Sequence, residues 1–270
     1  MSSTTQYLTR SEGKIAYDLS GRGPLVVMVP GMGDLRSVYR FLAPALVEAG
    51  YRVATLDLRG HGESDATFTE FDDVATARDV LALIEEVSSP AVVIGNSMGA
   101  GAAVWAAAEA PALVNGLVLI GPFLRNPPVN KLQMAAFRLG LVWPWGPAVW
   151  NQYYKTLYPS RPPADLDRHR RRIHHNLHRP EYWKAFVSTT RTSHAPVEAR
   201  LAEVHAPSMV VMGEKDPDFK DPGAEAGWIA SRLDSEVLMV PGAGHYPQAE
   251  FPELVAPGVV AFLGKVAHHA

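Results

Sequence analysis

The sequence predicts an α/β domain built on a mostly parallel sheet with helices on both faces, interrupted by one helical insertion. Three observations carry that prediction. Short, continuous apolar runs rich in β-branched residues alternate with longer helical patterns through the first half of the chain. The same alternation resumes after residue 200. Between the two lies a stretch of different charge: residues 125–200 hold 13 Lys and Arg against four acids, a net of +9, whereas the remainder holds 12 basic and 24 acidic residues, a net of −12. So sharp a shift marks a separate structural unit.

The elements follow in chain order. Residues 14–19 can pair antiparallel at the sheet edge. Leu25-Val-Val-Met-Val-Pro30 is the first apolar strand and ends at Gly31-Met-Gly33. A helix is expected over 35–49 with Asp34 as its N-cap, then a strand over 51–57 entered through Gly50. A second helix over 73–87 takes Asp72 as N-cap and leads to a strand at 91–95. The third helix, 98–110, stops at Pro111, and a strand follows at 116–121. Strands at 208–213 and 236–241 flank a helix at 224–233. A last helix lies between 252 and 266, with Pro257-Gly258 expected to delay or kink it. The expected division is a core domain of residues 1–122 and 201–270 and a helical cap of residues 123–200.

Composition narrows the function classes. The chain has 270 residues, 47% apolar and 20% charged, the proportions of an ordinary globular protein. It has no cysteine, which excludes disulfides, a thiol nucleophile and thiolate metal sites and suits a reducing compartment. A net charge of −3 is not that of a polyelectrolyte binder. Residues 1–18 are polar and lack the apolar stretch of a signal peptide. No uncharged apolar run approaches the ~18 residues of a membrane span. A cytoplasmic protein without membrane insertion is expected.

The sharpest motif is Gly95-Asn-Ser97-Met-Gly99, which ends one strand and opens one helix. A serine there sits on a tight, strained turn that lifts its hydroxyl above the sheet. A serine hydroxyl needs a base to become nucleophilic. His245, in Pro241-Gly-Ala-Gly-His245, follows the last strand on a glycine-rich loop that can return over the sheet edge. His61, in Asp57-Leu-Arg-Gly-His-Gly-Glu-Ser64, reads as part of a structural turn. The base needs an orienting carboxylate. Asp216 in Gly213-Glu-Lys-Asp216-Pro-Asp218 is the first choice, with Asp218, Asp221 and Glu214 as local competitors. The order Ser97, Asp216, His245 is that of α/β-hydrolase triads. Oxyanion donors are expected from the backbone N–H groups of Met98, after the nucleophile, and Met32, in the turn after the first apolar strand. That turn is no dinucleotide loop, because Gly31-Met-Gly33 lacks the third glycine.

In these motifs the chain resembles the α/β-hydrolase superfamily over nearly its whole length. The resemblance rests on Pro30-Gly-Met-Gly33, Asp57-Leu-Arg-Gly-His-Gly-Glu-Ser64, Gly95-Asn-Ser-Met-Gly99, Gly213-Glu-Lys-Asp216 and Gly244-His245. It implies an eight-stranded sheet with a helical cap inserted after the sixth strand, and the triad Ser97, Asp216 and His245. Many relatives carry His-Gly where this chain has Pro30-Gly31. A serine nucleophile argues against the dehalogenases and epoxide hydrolases that share the fold but use aspartate. The elbow also resembles that of some carbon–carbon bond hydrolases and does not separate them from esterases.

The insertion holds four of the six tryptophans. Trp143, Trp145, Tyr153, Tyr154, Trp183 and Phe186 are candidates for the apolar wall of a substrate pocket; the rival reading is that they fasten the cap to the core. Met134, Phe137 and Leu141 read as packing. Arg168-His-Arg-Arg-Arg172 and His174-His-Asn-Leu-His178 read as a solvated cationic face. His174 and His178 lack the Glu of a zinc-protease motif, and no aromatic-studded groove accompanies the charge, so neither metal, other cofactor nor nucleic acid is expected. The expected activity is hydrolysis of small-molecule carboxylic esters of hydrophobic character through an acyl-enzyme. Carbon–carbon bond hydrolysis or perhydrolysis by the same triad and slow-turnover ligand binding are the alternatives.

Overall fold

The computed structural model describes residues 4–88, 90–126 and 131–269. Its strands are β1 (Gln6–Arg10), β2 (Gly13–Gly21), β3 (Leu25–Val29), β4 (Arg52–Leu56), β5 (Ala91–Asn96), β6 (Val114–Ile120), β7 (Ser208–Gly213) and β8 (Glu236–Val240). They form one eight-stranded sheet in the order β1-β2-β4-β3-β5-β6-β7-β8. Strand β2 runs antiparallel to β1 and β4, and all other pairs are parallel. This is the α/β-hydrolase fold.

The helices are α1 (Leu42–Glu48), α2 (Asp73–Val87), α3 (Met98–Glu109), α4 (Lys131–Gly140), α5 (Gly146–Thr156), α6 (Leu166–Leu177), α7 (Pro180–Thr189), α8 (Ala195–Glu198), α9 (Pro222–Leu233), α10 (Pro247–Glu250) and α11 (Pro252–His269). The central strands are buried on both faces, and their residues alternate between two cores. Leu25, Val27 and Val29 of β3 pack with α2, α3 and α9 on one side. Val26 and Met28 pack with α1 and α11 on the other. Five helices, α4 to α8, stand between β6 and β7, with no strand among the described residues. Trp150, Tyr154, Ile173, Trp183 and Phe186 of these helices join the α1–α11 core. Among the described residues, no helix is long and apolar enough to cross a membrane.

Several expectations are corrected. The sheet edge is β1, not the segment at 14–19, which lies within β2. Only Leu8 of β1 is buried, so this edge strand has no apolar run to reveal it. The helix expected over 35–49 breaks into a 3₁₀ turn, Arg36–Tyr39, and α1. Asp34 is therefore no cap of a long helix; it is fully buried and bonded elsewhere. Asp72 does cap α2, accepting from Ala75 N–H at 2.9 Å. Helix α11 starts at Pro252 and runs through Pro257, so that proline does not delay it.

Candidate active site

Strand β5 passes into α3 through Ser97, whose backbone (φ 57°, ψ −122°) lies where residues with a Cβ are rarely found. The turn is possible because its flanks are bare. A Cβ on Gly95 would lie 2.2 Å from Gly99 O, and one on Gly99 would lie 2.4 Å from Val29 O. Asn96 braces the turn by donating from Nδ2 to Ile120 O at 2.9 Å. Ser97 itself remains 5% exposed.

The loop after β8 carries His245, and the loop after β7 carries Asp216. His245 Nδ1 and Asp216 Oδ2 are 2.8 Å apart, both side chains buried. Gly121, at the end of β6 with φ 50°, makes room for them: a Cβ there would lie 3.0 Å from His245 Nδ1 and 3.3 Å from Asp216 Oδ2. A second carboxylate also faces this imidazole. Asp218 Oδ2 is 3.6 Å from Nδ1, and Tyr153 O–H donates to Asp218 Oδ1. Burial pushes the imidazole pKa down, but Asp216 and Asp218 together outweigh it and raise it to about 9. Ligand atoms of Asp216, Asp218 and His245 lie within 4.8 Å of one another, a donor set a divalent cation could use. The His245–Asp216 and Tyr153–Asp218 hydrogen bonds already occupy part of it.

Ser97 and His245 line one cavity of about 130 Å³, walled by Met32, Phe137, Trp150 and Tyr153. No hydrogen bond joins the two side chains, a looseness common in sites without substrate. A second cavity of about 240 Å³ is also lined by Ser97, Met32 and Met98, together with Thr192 and His194. A larger cavity, about 610 Å³, lies beside Asp18, Arg36 and Val47 and shares no lining residue with either.

The turn carrying Met32 is clamped from both sides. His61 Nε2 accepts from Gly33 N–H at 2.9 Å, so the ring proton sits on Nδ1, which donates to Arg59 O at 2.8 Å. Burial lowers the His61 pKa to about 4, which keeps it the neutral acceptor this contact needs. Trp150 Nε1–H donates to Gly33 O at 3.3 Å. Asp34 accepts from Tyr154 O–H at 2.7 Å and from Leu35 N–H at 2.7 Å, and meets His169 Nε2 at 2.8 Å. The α5 and α6 helices thus hold the turn from above. Met98 is the first residue of α3, where backbone N–H groups have no partner within the helix.

The structure therefore brings Ser97, Asp216, His245, Met32 and Met98 together. Of the six pocket candidates, Tyr153 lines the Ser97 cavity. Trp143 and Trp145 are 43% and 49% exposed and lie outside both Ser97 cavities. Tyr154, Trp183 and Phe186 are buried packing residues. Trp150, Met134 and Phe137 line the cavities instead. Helical spacing reads Met134 and Phe137 as packing because an apolar face looks the same whether it meets a core or a cavity. His169, expected on a solvated cationic face, is 2% exposed and bonded to Asp34.

Fold and motifs define a class, and comparison with known proteins agrees. Residues 26–257 match the alpha/beta hydrolase family, and the chain belongs to it. It is 29% identical over 253 residues to a 2-(acetamidomethylene)succinate hydrolase of Mesorhizobium japonicum, covering 90% of this chain and 89% of that one. It is 27% identical over 266 residues to a 2-hydroxy-6-oxo-6-phenylhexa-2,4-dienoate hydrolase of Burkholderia cepacia, covering 92% of each. An esterase structure from Exiguobacterium antarcticum superposes with a TM-score of 0.83 at 19% identity, covering 97% of this chain and 100% of that one.

Proposed function

We propose that this chain is a serine hydrolase that cleaves carboxylic esters of hydrophobic substrates through an acyl-enzyme. One observation carries the reading: His245, paired with buried Asp216, lines one cavity with Ser97, which stands on a strained turn at the head of α3. Ser97 Oγ attacks the ester carbonyl and gives its proton to His245 Nε2. Asp216 holds the imidazole by its Nδ1–H and stabilises the cation that forms. The Met32 and Met98 N–H groups bind the oxyanion, each worth about 3 kcal/mol. The alcohol leaves with the proton from His245. Water, deprotonated by the same imidazole, then releases the acid and restores Ser97.

Residues 123–200 act in this reading as a cap: their aromatic residues wall the cavity, and Trp150, Tyr154 and His169 set the oxyanion turn. A series of p-nitrophenyl esters from acetate to palmitate tests the activity and sizes the pocket. Turnover by the wild type that is lost in Ser97→Ala supports it; full turnover by Ser97→Ala refutes it. A second reading, carbon–carbon bond hydrolysis, is favoured by the Burkholderia cepacia relative and by the Gly95-Asn-Ser-Met-Gly99 elbow. Consumption of a vinylogous diketone without ester turnover would select it.

A further inference from the structure

A second imidazole–carboxylate pair lies near Ser97, and its histidine lines the second Ser97 cavity. His194, just before α8, places Nδ1 2.7 Å from Oδ2 of Asp73, the first residue of α2; their side chains are 13% and 1% exposed. The ring is fixed further by stacking on Phe123, with centroids 5.8 Å apart and planes at 30°. Phe123 also stacks on Phe219, 4.8 Å away, and meets His245 edge-on at 6.1 Å. The His194 backbone is also held, its N–H donating to Asn126 Oδ1 at 2.9 Å.

The 240 Å³ cavity is lined by Ser97, Met32 and Met98 together with Thr192 and His194. Phe123, Met134 and Phe137 supply apolar wall. His194 is the one residue among those lining it that can carry charge. Thr192 Oγ1 is buried there with no hydrogen-bond partner. A buried hydroxyl left unsatisfied costs about 1–3 kcal/mol, so a partner is chemically expected. Asp73 occupies His194 Nδ1, which leaves Nε2 for a ligand. His194 then offers an N–H donor from Nε2, and Thr192 offers an O–H. Two donors lining the same cavity as the nucleophile suit a carboxylate.

We propose that this cavity binds a carboxylate on the substrate, through His194 Nε2–H and Thr192 Oγ–H, while the scissile carbonyl sits at Ser97. The substrates are then half-esters of short dicarboxylic acids or their close analogues. This inference rests on the hydrolase reading above, and its test separates the two. The half-ester preference is the kcat/KM for mono-p-nitrophenyl glutarate divided by that for p-nitrophenyl butyrate. It exceeds one in the wild type. It falls about tenfold to a hundredfold in His194→Gln, the span of one hydrogen bond to a charged group. The nearly isosteric Thr192→Val lowers it in the same direction and guards against a misfolded His194 variant. Calorimetry with glutarate, on wild type and His194→Gln, reads the subsite without turnover: binding by the wild type is weakened in the variant. A wild-type ratio at or below one, a ratio unchanged in both variants, or no glutarate binding overturns the inference. Absence of turnover of both esters by the wild type overturns the hydrolase reading instead.

Discussion

Replacing Asp218 by Asn should make this protein a better catalyst at neutral pH. In the proposed mechanism His245 must be neutral to take the proton of Ser97, yet two carboxylates face it, Asp216 at 2.8 Å and Asp218 at 3.6 Å, and hold its pKa at about 9. The kcat/KM of the wild type should therefore rise with pH and reach half its plateau near pH 9. An opposite charge at this range moves a pKa by about 1–3 units, and Tyr153 already draws on Asp218, so the low end applies. Asp218→Asn should bring the half-plateau down by about one unit, the equivalent of about 1.4 kcal/mol. The neutral fraction of His245 at pH 7 then rises about tenfold, and kcat/KM rises by somewhat less, because a weaker base also accepts the proton less readily. Initial rates with a soluble p-nitrophenyl ester from pH 6 to 10 measure this directly. Asp216 remains to orient the ring, so the plateau should stay within the same order of magnitude. A rising limb that does not move, or that moves to higher pH in Asp218→Asn, would refute the reasoning.

Two further outcomes follow from the site. Gly121→Ala adds a Cβ 3.0 Å from His245 Nδ1 at a φ of 50°, so it should displace the Asp216–His245 pair and lower kcat at least about tenfold; kcat against p-nitrophenyl butyrate, with a melting curve as folding control, measures it. His61 is buried with a pKa lowered from 6.5 to about 4, so its contribution to stability is complete above pH 6.5 and is lost as pH falls toward 4. That amounts to about 3 kcal/mol, and thermal melting at pH 7, 5 and 4 should show a fall that is smaller in His61→Gln. His61→Leu should lose about a hundredfold in kcat, because Gly33 N–H loses the acceptor that fixes the Met32 turn.

Most of the sheet was legible because a strand buried on both faces must be written as a continuous apolar run. The turn at Ser97 was legible because its neighbours Gly95 and Gly99 leave no room for a side chain. Strand β1 was not, since an edge strand that buries only Leu8 carries no such run. The pin formed by Asp34, Tyr154 and His169 was hidden for another reason: Asp34 lies more than a hundred residues from the other two, and each looks locally like something else. Asp34 reads as a helix cap, and His169 sits among arginines that face solvent. Trp143 and Trp145 misled because they lie in the turn between α4 and α5, and residue type alone does not say whether a turn faces the cavity or solvent. The Asp73–His194 pair joins α2 to the inserted segment and has no sequence signature. The single sign available in the His61 motif, a histidine between two glycines, pointed to a turn and was right about its place, though not about its grip on Gly33.

The nucleophile assignment can be tested without knowing the substrate. Wild-type and Ser97→Ala protein are treated with a fluorophosphonate, and their intact masses are compared. One adduct on the wild type and none on the variant is the expected result, because only a hydroxyl activated by His245 reacts. Equal labelling of both proteins, or ester turnover by a wild type that takes no adduct, would show that Ser97 is not the nucleophile.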